Sequence, residues 1–155
     1  MGKLIIRESA VADFPALVGI LSTTEAWTSY GINYDMAIGL FNEMEDAIYI
    51  AEIDNKVIGF ITLRINGVGN IGAYIRMIAA AEGCRGQGVG SAMLNYVNEI
   101  ASKKMPNLFL ICSLENLGAQ RFYVKMGFQK IGILKNLVVK DRDEILFRKK
   151  LGTIH

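Results

Sequence analysis

Eight residues near the middle of the chain, Gly83-Cys84-Arg85-Gly86-Gln87-Gly88-Val89-Gly90, have the composition of an anion-binding loop. Directly behind them Val89, Ala92, Met93, Tyr96, Val97, Ile100 and Ala101 fall on one helical face. Asn95, Asn98, Glu99, Ser102 and Lys103 fall on the other. The first turn of such a helix leaves amide N–H groups without partners, and the helix dipole adds positive potential there. Glycines let the backbone approach an anion closely, so phosphate is the natural guest, and Arg85 at the mouth adds a bidentate donor. A glycine-rich turn serving only packing is the alternative. Two familiar phosphate loops do not fit. GxGxxG fails because the third residue after Gly88 is Ser91 and after Gly90 is Met93, with no acid about twenty residues beyond Gly86 to hold a ribose. GxxxxGK[ST] fails because no Gly-Lys pair follows the loop.

The elements around the loop are readable from periodicity and turn chemistry. Lys3 to Arg7 is a short β-type run, Ser9 and Asp13 are candidate helix caps, and Pro15 opens a stripe of Leu17, Ile20 and Leu21. Thr23 to Tyr34 reads as irregular, and a second helix covers Asp35 to Glu43. Ala47 to Ile53 and Lys56 to Ile65 form a hairpin across Asp54-Asn55. A turn at 66–70 leads into a strand from Ile71 to Ala79, then the loop and its helix. Leu108 to Ser113 is almost wholly apolar, hence a central strand. Leu117 to Met126 reads as a helix ending at Gly127, and Phe128 to Lys140 pairs with Glu144 to Lys150 across Asp141-Arg142-Asp143. The order β-α-α-β-β-β-α-β-α-β-β, with hairpins early and a helical crossover in the middle, predicts a mixed α/β sheet.

Composition excludes several kinds of chemistry. Of 155 residues, 52% are hydrophobic and 21% charged, with 16 glycines, which suits one core-forming domain over residues 1–155. The only histidine, His155, is the last residue, so no His triad, His zinc cluster or internal histidine base is available, and no metal is expected. Cys84 and Cys112 form no CxxC pair and read as reduced thiols of a cytoplasmic chain. Seventeen basic against fifteen acidic residues leave +2, and no basic run interleaves with aromatics, so a nucleic-acid partner is not expected. Charges interrupt every apolar stretch before it reaches spanning length, and MGKLIIRES has no signal-peptide pattern, so no membrane partner is expected either.

The spacing Arg85-x-x-Gly88-x-Gly90 resembles the pyrophosphate loop of the GNAT superfamily, the acyl-CoA-dependent N-acyltransferases. Upstream, Met77-Ile78-Ala79-Ala80-Ala81-Glu82-Gly83-Cys84 resembles that family's fourth strand entering the loop, although many members have proline where Ala81-Glu82 stands. Downstream, Asn116-Leu117-Gly118-Ala119 to Tyr123, then Gly127-Phe128, resembles the second block Asn-x-x-Ala-x-x-x-Tyr…Gly-Phe. The two blocks stand about thirty residues apart and, with the strand order, the resemblance covers nearly the whole chain. The implied fold is a mixed, mostly antiparallel central sheet of about seven strands flanked by four helices.

The resemblance also implies a site. Backbone amides of Gln87, Gly88, Val89, Gly90 and Ser91 would cradle a coenzyme A pyrophosphate, with Gly86 shaping the turn and Arg85 at the entrance. Ile78, Ala79 and Ala80 would pair with the pantetheine like a further strand. The Ile78 amide would stabilise the oxyanion, Asn116 would bond the cofactor arm, and Tyr123 would protonate the departing thiolate. The implied reaction is direct transfer of acetyl from acetyl-CoA to a primary amine, on a small molecule or a protein N-terminus. At the strand positions where members often carry a carboxylate base stand Tyr74 and Ile111, so a water-relayed base is expected, with Tyr74 or Glu115 contributing. Trp27, Tyr30 and Tyr34 are candidates for an acceptor wall near Glu25 and Asp35, or else cap the core edge. A CoA-binding sensor without activity and a generic phosphate-binding regulatory domain are the competing readings. A homodimer is compatible with a domain of this size.

Overall fold

The computed structural model describes residues 2–152, apart from the side chains of Glu25 and Ala26. His155 lies outside the described residues, and so does the Glu25 side chain as a source of acceptor-side charge. The elements in chain order are β1 (Ile5–Glu8), a 3-10 turn (Val11–Asp13), α1 (Phe14–Ser22), α2 (Glu25–Thr28), α3 (Tyr34–Glu43), β2 (Ala47–Ile53), β3 (Lys56–Val68), β4 (Gly72–Ile75), β5 (Ile78–Ala80), α4 (Val89–Ser102), β6 (Asn107–Ser113), α5 (Leu117–Lys125), β7 (Gln129–Leu134) and β8 (Glu144–Lys150). Hydrogen bonding orders the strands β1-β2-β3-β4-β6-β8-β7, with β5 also on β3, and only the β4–β6 pair is parallel. The fold is mixed α/β and mostly antiparallel. The chain forms two compact units, Met1–Leu63 with Met77–Val97, and Arg64–Arg76 with Asn98–His155. Strand β3 and helix α4 run through both.

The first unit is built on the β2–β3 hairpin. Asp54 and Asn55 both take positive φ, 51° and 64°, the geometry of a two-residue turn matched to strand twist. Its core joins Leu17, Val18, Ile20 and Leu21 of α1 to Ala37 and Phe41 of α3 and to Ile48, Ile50 and Phe60 of the strands. Phe41 meets Phe60 edge-on with ring centres 5.5 Å apart. Each such ring or branched chain taken from water contributes about 1.5–3 kcal/mol. The second unit stacks β4, β6, β8 and β7 beside the far end of β3. There Tyr123 of α5 packs against Phe128 and Phe147.

Several boundaries depart from the sequence reading for identifiable reasons. The strand expected from Ile71 to Ala79 is two strands, which gives eight in place of about seven. Thr62 causes part of this break: its Oγ1 accepts the Met77 N–H at 3.0 Å, where a ladder would use a backbone carbonyl. Strand β3 continues to Val68 through the expected turn at 66–70, because Gly67 serves close cross-strand approach: a Cβ there would collide with that of Tyr74. The last hairpin closes earlier than expected, with β7 ending at Leu134 and a long connection to β8 that places Asn136 and Asp141 at positive φ. Thr23 to Tyr34 contains the short helix α2. Asn33, not Asp35, starts α3, its Oδ1 accepting the Met36 N–H. Ser9 caps no helix; Asp13 instead accepts from the Ala10 N–H at 2.7 Å and pairs with Arg7 at 2.9 Å.

Candidate functional site

In the first unit, β5 pairs antiparallel with β3 through Gly59↔Ala80, Phe60↔Ala79 and Ile61↔Ile78. At its ends Thr62 N–H donates to the Met77 carbonyl and Ala81 N–H to the Ile58 carbonyl. Backbone groups alternate in direction along a strand. Residues 77, 79 and 81 therefore face β3, while the N–H and C=O of Ile78 and Ala80 turn to the opposite edge. Among the described residues no strand pairs with that edge. It is a row of backbone donors and acceptors of the kind that an extended amide-bearing arm can pair with. The sequence reading assigned the Ile78 amide an oxyanion role, and the register gives this N–H the outward direction such a role needs.

Beyond Ala81 the chain makes consecutive turns into α4, and Gly83, Gly86 and Gly88 carry φ of +85°, +77° and +83°. Only glycine adopts this conformation without strain. A Cβ at any of the three would meet nothing within 4 Å, so the constraint is conformational and the space in front of the loop is open. Ala92 N–H donates to the Gly88 carbonyl at 3.0 Å, which makes Gly88 the residue before the helix. The amides of Val89, Gly90 and Ser91 are then the first-turn donors that the helix itself leaves unpaired. This donor set fits a pyrophosphate: converging N–H groups, positive helix potential and no side chain in the way. Gln87 braces the loop by donating from Nε2 to the Gly83 carbonyl at 2.9 Å.

Arg85 does something the sequence did not disclose. Its Nε donates to the Ala80 carbonyl at 3.3 Å, and its Nη2 reaches the Thr23 carbonyl at 3.1 Å and Thr24 Oγ1 at 3.3 Å. The guanidinium thus ties the loop to the end of α1 and occupies one acceptor of the β5 edge. In the same unit, Trp27 and Tyr34 line a cavity of about 150 Å³ with Pro15, Val18, Leu21 and Ile32. Tyr30 packs on Trp27 with ring centres 6.4 Å apart.

The remaining candidates belong to the second unit. Asn116 caps α5, its Oδ1 accepting the Ala119 N–H at 3.1 Å, which leaves its amide N–H₂ as the group for any ligand contact. Tyr123 is 8% exposed, and burial holds its hydroxyl well above the usual phenol range, with a smaller contribution from Cys112. Gln120 was not singled out in the sequence. Buried on the same helix, it donates to the Ser113 and Leu114 carbonyls at 3.2 and 2.8 Å and accepts from Lys130 Nζ at 3.3 Å. It thereby holds α5 to the end of β6. Glu115 is exposed in the turn between those elements. Tyr74 stands on β4, with the Arg76 guanidinium 5.9 Å from its ring centre. Thr62 carries one weak signal in the sequence, a polar side chain inside the apolar stretch from Val57 to Leu63.

Cys112 is buried, and its thiol is pushed up to about 11 by burial and then by the charge of Glu144. The unfolded thiol ionises near 9.0. This group therefore contributes stability below pH 9 that is lost as pH rises through about 11. Iodoacetamide at neutral pH, followed by peptide mass mapping, is expected to label the partly exposed Cys84 while Cys112 stays intact until the chain is unfolded. Labelling of Cys112 at a comparable rate in the native chain would contradict that burial.

A glycine loop opening a helix beside an unpaired strand edge on a mixed sheet is the arrangement that the resemblance to the GNAT superfamily implies. Residues 6–128 match the Acetyltransferase (GNAT) family, and the chain belongs to it. It is 32% identical over 152 residues to an uncharacterised N-acetyltransferase of Methanocaldococcus jannaschii, covering 95% of this chain and 92% of that one. It is 29% identical over 121 residues to an N-alpha-acetyltransferase of Sulfurisphaera tokodaii, covering 70% and 72%. The ribosomal-protein-S18-alanine N-acetyltransferase of Escherichia coli shares the fold with a TM-score of 0.80 at 20% identity, over 99% and 97% of the two chains.

Proposed function

We propose that the chain moves an acetyl group from acetyl-CoA directly to a primary amine. The observation that carries this is the outward edge of β5 running into a left-handed glycine loop at the start of α4. Bound acetyl-CoA supplies the activated thioester. The amides of Gln87 to Ser91 hold its pyrophosphate, and the β5 edge aligns its arm. The Ile78 N–H donates to the thioester oxygen as charge builds there. The resemblance assigns two further roles, to the Asn116 amide as a donor to the arm and to the Tyr123 phenol as the proton donor to the departing thiolate. The mechanism needs no covalent intermediate: Cys112 is buried with a raised thiol pKa, the only histidine is residue 155, and Cys84, the partly exposed thiol in the loop, is given no chemical step.

The acceptor presents an α-amine, in the first place that of a protein or peptide N-terminus. Two relatives, from Sulfurisphaera tokodaii and Saccharolobus solfataricus, carry the name N-alpha-acetyltransferase. Chemistry favours the same choice. A lysine-type amine near pKa 10.4 carries a deprotonation penalty of about 4–5 kcal/mol at neutral pH, whereas an α-amine near 8 carries only about 1 kcal/mol. With Tyr74 and Ile111 standing where the resemblance puts a carboxylate base, the α-amine is the acceptor that asks less of a water relay. Initial rates with acetyl-CoA and a panel of free-amine peptides test the reading. Converging double-reciprocal lines are expected for a ternary complex. Parallel lines would point to an acetylated protein intermediate and would overturn direct transfer.

A further inference from the structure

Strand β6 is buried at Leu108, Leu110 and Cys112 and only half-buried at Phe109, Ile111 and Ser113, which leaves one sheet face of the second unit partly open. Register fixes what stands on that face. Arg64 pairs with Tyr74, Tyr74 with Phe109, Phe109 with Arg148, and Arg148 with Gln129. Directly paired residues point to the same side of a sheet. Arg64, Tyr74, Phe109, Arg148 and Gln129 therefore form one row across β3, β4, β6, β8 and β7. The ring of Phe109 lies so close over Gly72 that a Cβ there would collide with it, so glycine gives the ring its place. Arg76 adds a third guanidinium beside Tyr74. Among the described residues the only acid that strand pairing places on this face is Glu144, opposite Ser113 and Leu134 and two rows away.

Arg148 is the informative member. Its Nη2 donates to Gln129 Oε1 at 3.1 Å on the exposed side of the row, a neutral acceptor for a charged donor. Its Nε–H is buried without a partner among the described residues, so the terminal nitrogens are the groups a ligand can reach. A carboxylate satisfies a guanidinium better than a neutral amide oxygen does. Resting on the N-acetyltransferase reading, we propose that this arginine–aromatic row binds a carboxylate of the amine acceptor, with Arg148 as the principal contact and Tyr74 and Phe109 as the apolar floor. The acceptor is then an anionic amine: a peptide with an acidic side chain behind its N-terminus, or a free amino acid.

Calorimetry on the CoA-saturated chain separates the two sources. One arm compares C-terminally amidated peptides beginning Met-Glu and Met-Gln; the other compares leucine with leucinamide. In at least one arm the carboxylate form is expected to bind about tenfold or more tightly. Arg148→Gln removes that preference, Arg148→Lys keeps part of it, and acetyl-CoA affinity is unchanged in both. Equal binding within both pairs, no binding of any of the four, or a preference that survives Arg148→Gln overturns the proposal. Thiol release with the same peptides is read separately. A carboxylate preference without thiol release upholds the row and contradicts the transferase reading.

Discussion

A Gly88→Val protein is expected to fold and to bind acetyl-CoA at least about a hundredfold more weakly. The φ of +83° at Gly88 costs an L-residue roughly 1–2 kcal/mol, more for a β-branched one. Nothing lies within 4 Å of the new Cβ, so the protein itself does not clash with it. The branched chain instead enters the space in front of the first-turn amides of α4. Losing even one or two charge-assisted amide contacts, each worth about 1.5–3 kcal/mol, accounts for the loss. Gly69→Val is the matched control, because Gly69 has φ of +60° with the same empty surroundings, in the turn between β3 and β4. It should lose similar stability and keep its affinity for acetyl-CoA. Equal binding losses in the two variants would mean that backbone strain, not the cradle, is being measured.

Tyr123→Phe is expected to lower kcat about a hundredfold while leaving the acetyl-CoA dissociation constant within about twofold, as befits removal of a general acid. The ring contacts to Phe128 and Phe147 survive the change, so thermal stability should move little. The pH dependence has a definite sign. Burial raises the pKa of this phenol, so it stays protonated past the ordinary tyrosine value of 10.0. No fall in kcat near pH 10 should therefore trace to Tyr123. A native-like kcat in the Phe variant would reduce Tyr123 to a core residue of α5.

The loop was legible because its evidence is local. Glycines at fixed spacing before an amphipathic helix state both the backbone conformation and the donor direction. The hairpin turn at Asp54-Asn55 and the helix end at Gly127 were legible for the same reason. What escaped depends on residues far apart in the chain. Arg85 reads as a free cation at a loop mouth until α1 places the carbonyl of Thr23 3.1 Å from its Nη2. The Met77 backbone reads as continuous strand until Thr62, fifteen residues earlier, takes its N–H. Gly67 looks like turn punctuation, and only the pairing of β3 with β4 shows that it makes room for Tyr74. The row from Arg64 to Gln129 is invisible in sequence because its members come from five strands and meet only through register.

On the proposed reading, thioester cleavage and amine acylation are one event on this chain. The most direct measurement mixes the protein with acetyl-CoA and a free-amine peptide and follows CoA thiol and acetylated peptide together. One thiol is expected for each acetylated amine, with no thiol release without the peptide beyond slow hydrolysis and loss of both products in Gly88→Val. Tight acetyl-CoA binding with no thiol released across the peptide panel would contradict it and leave a chain that binds the thioester without using it.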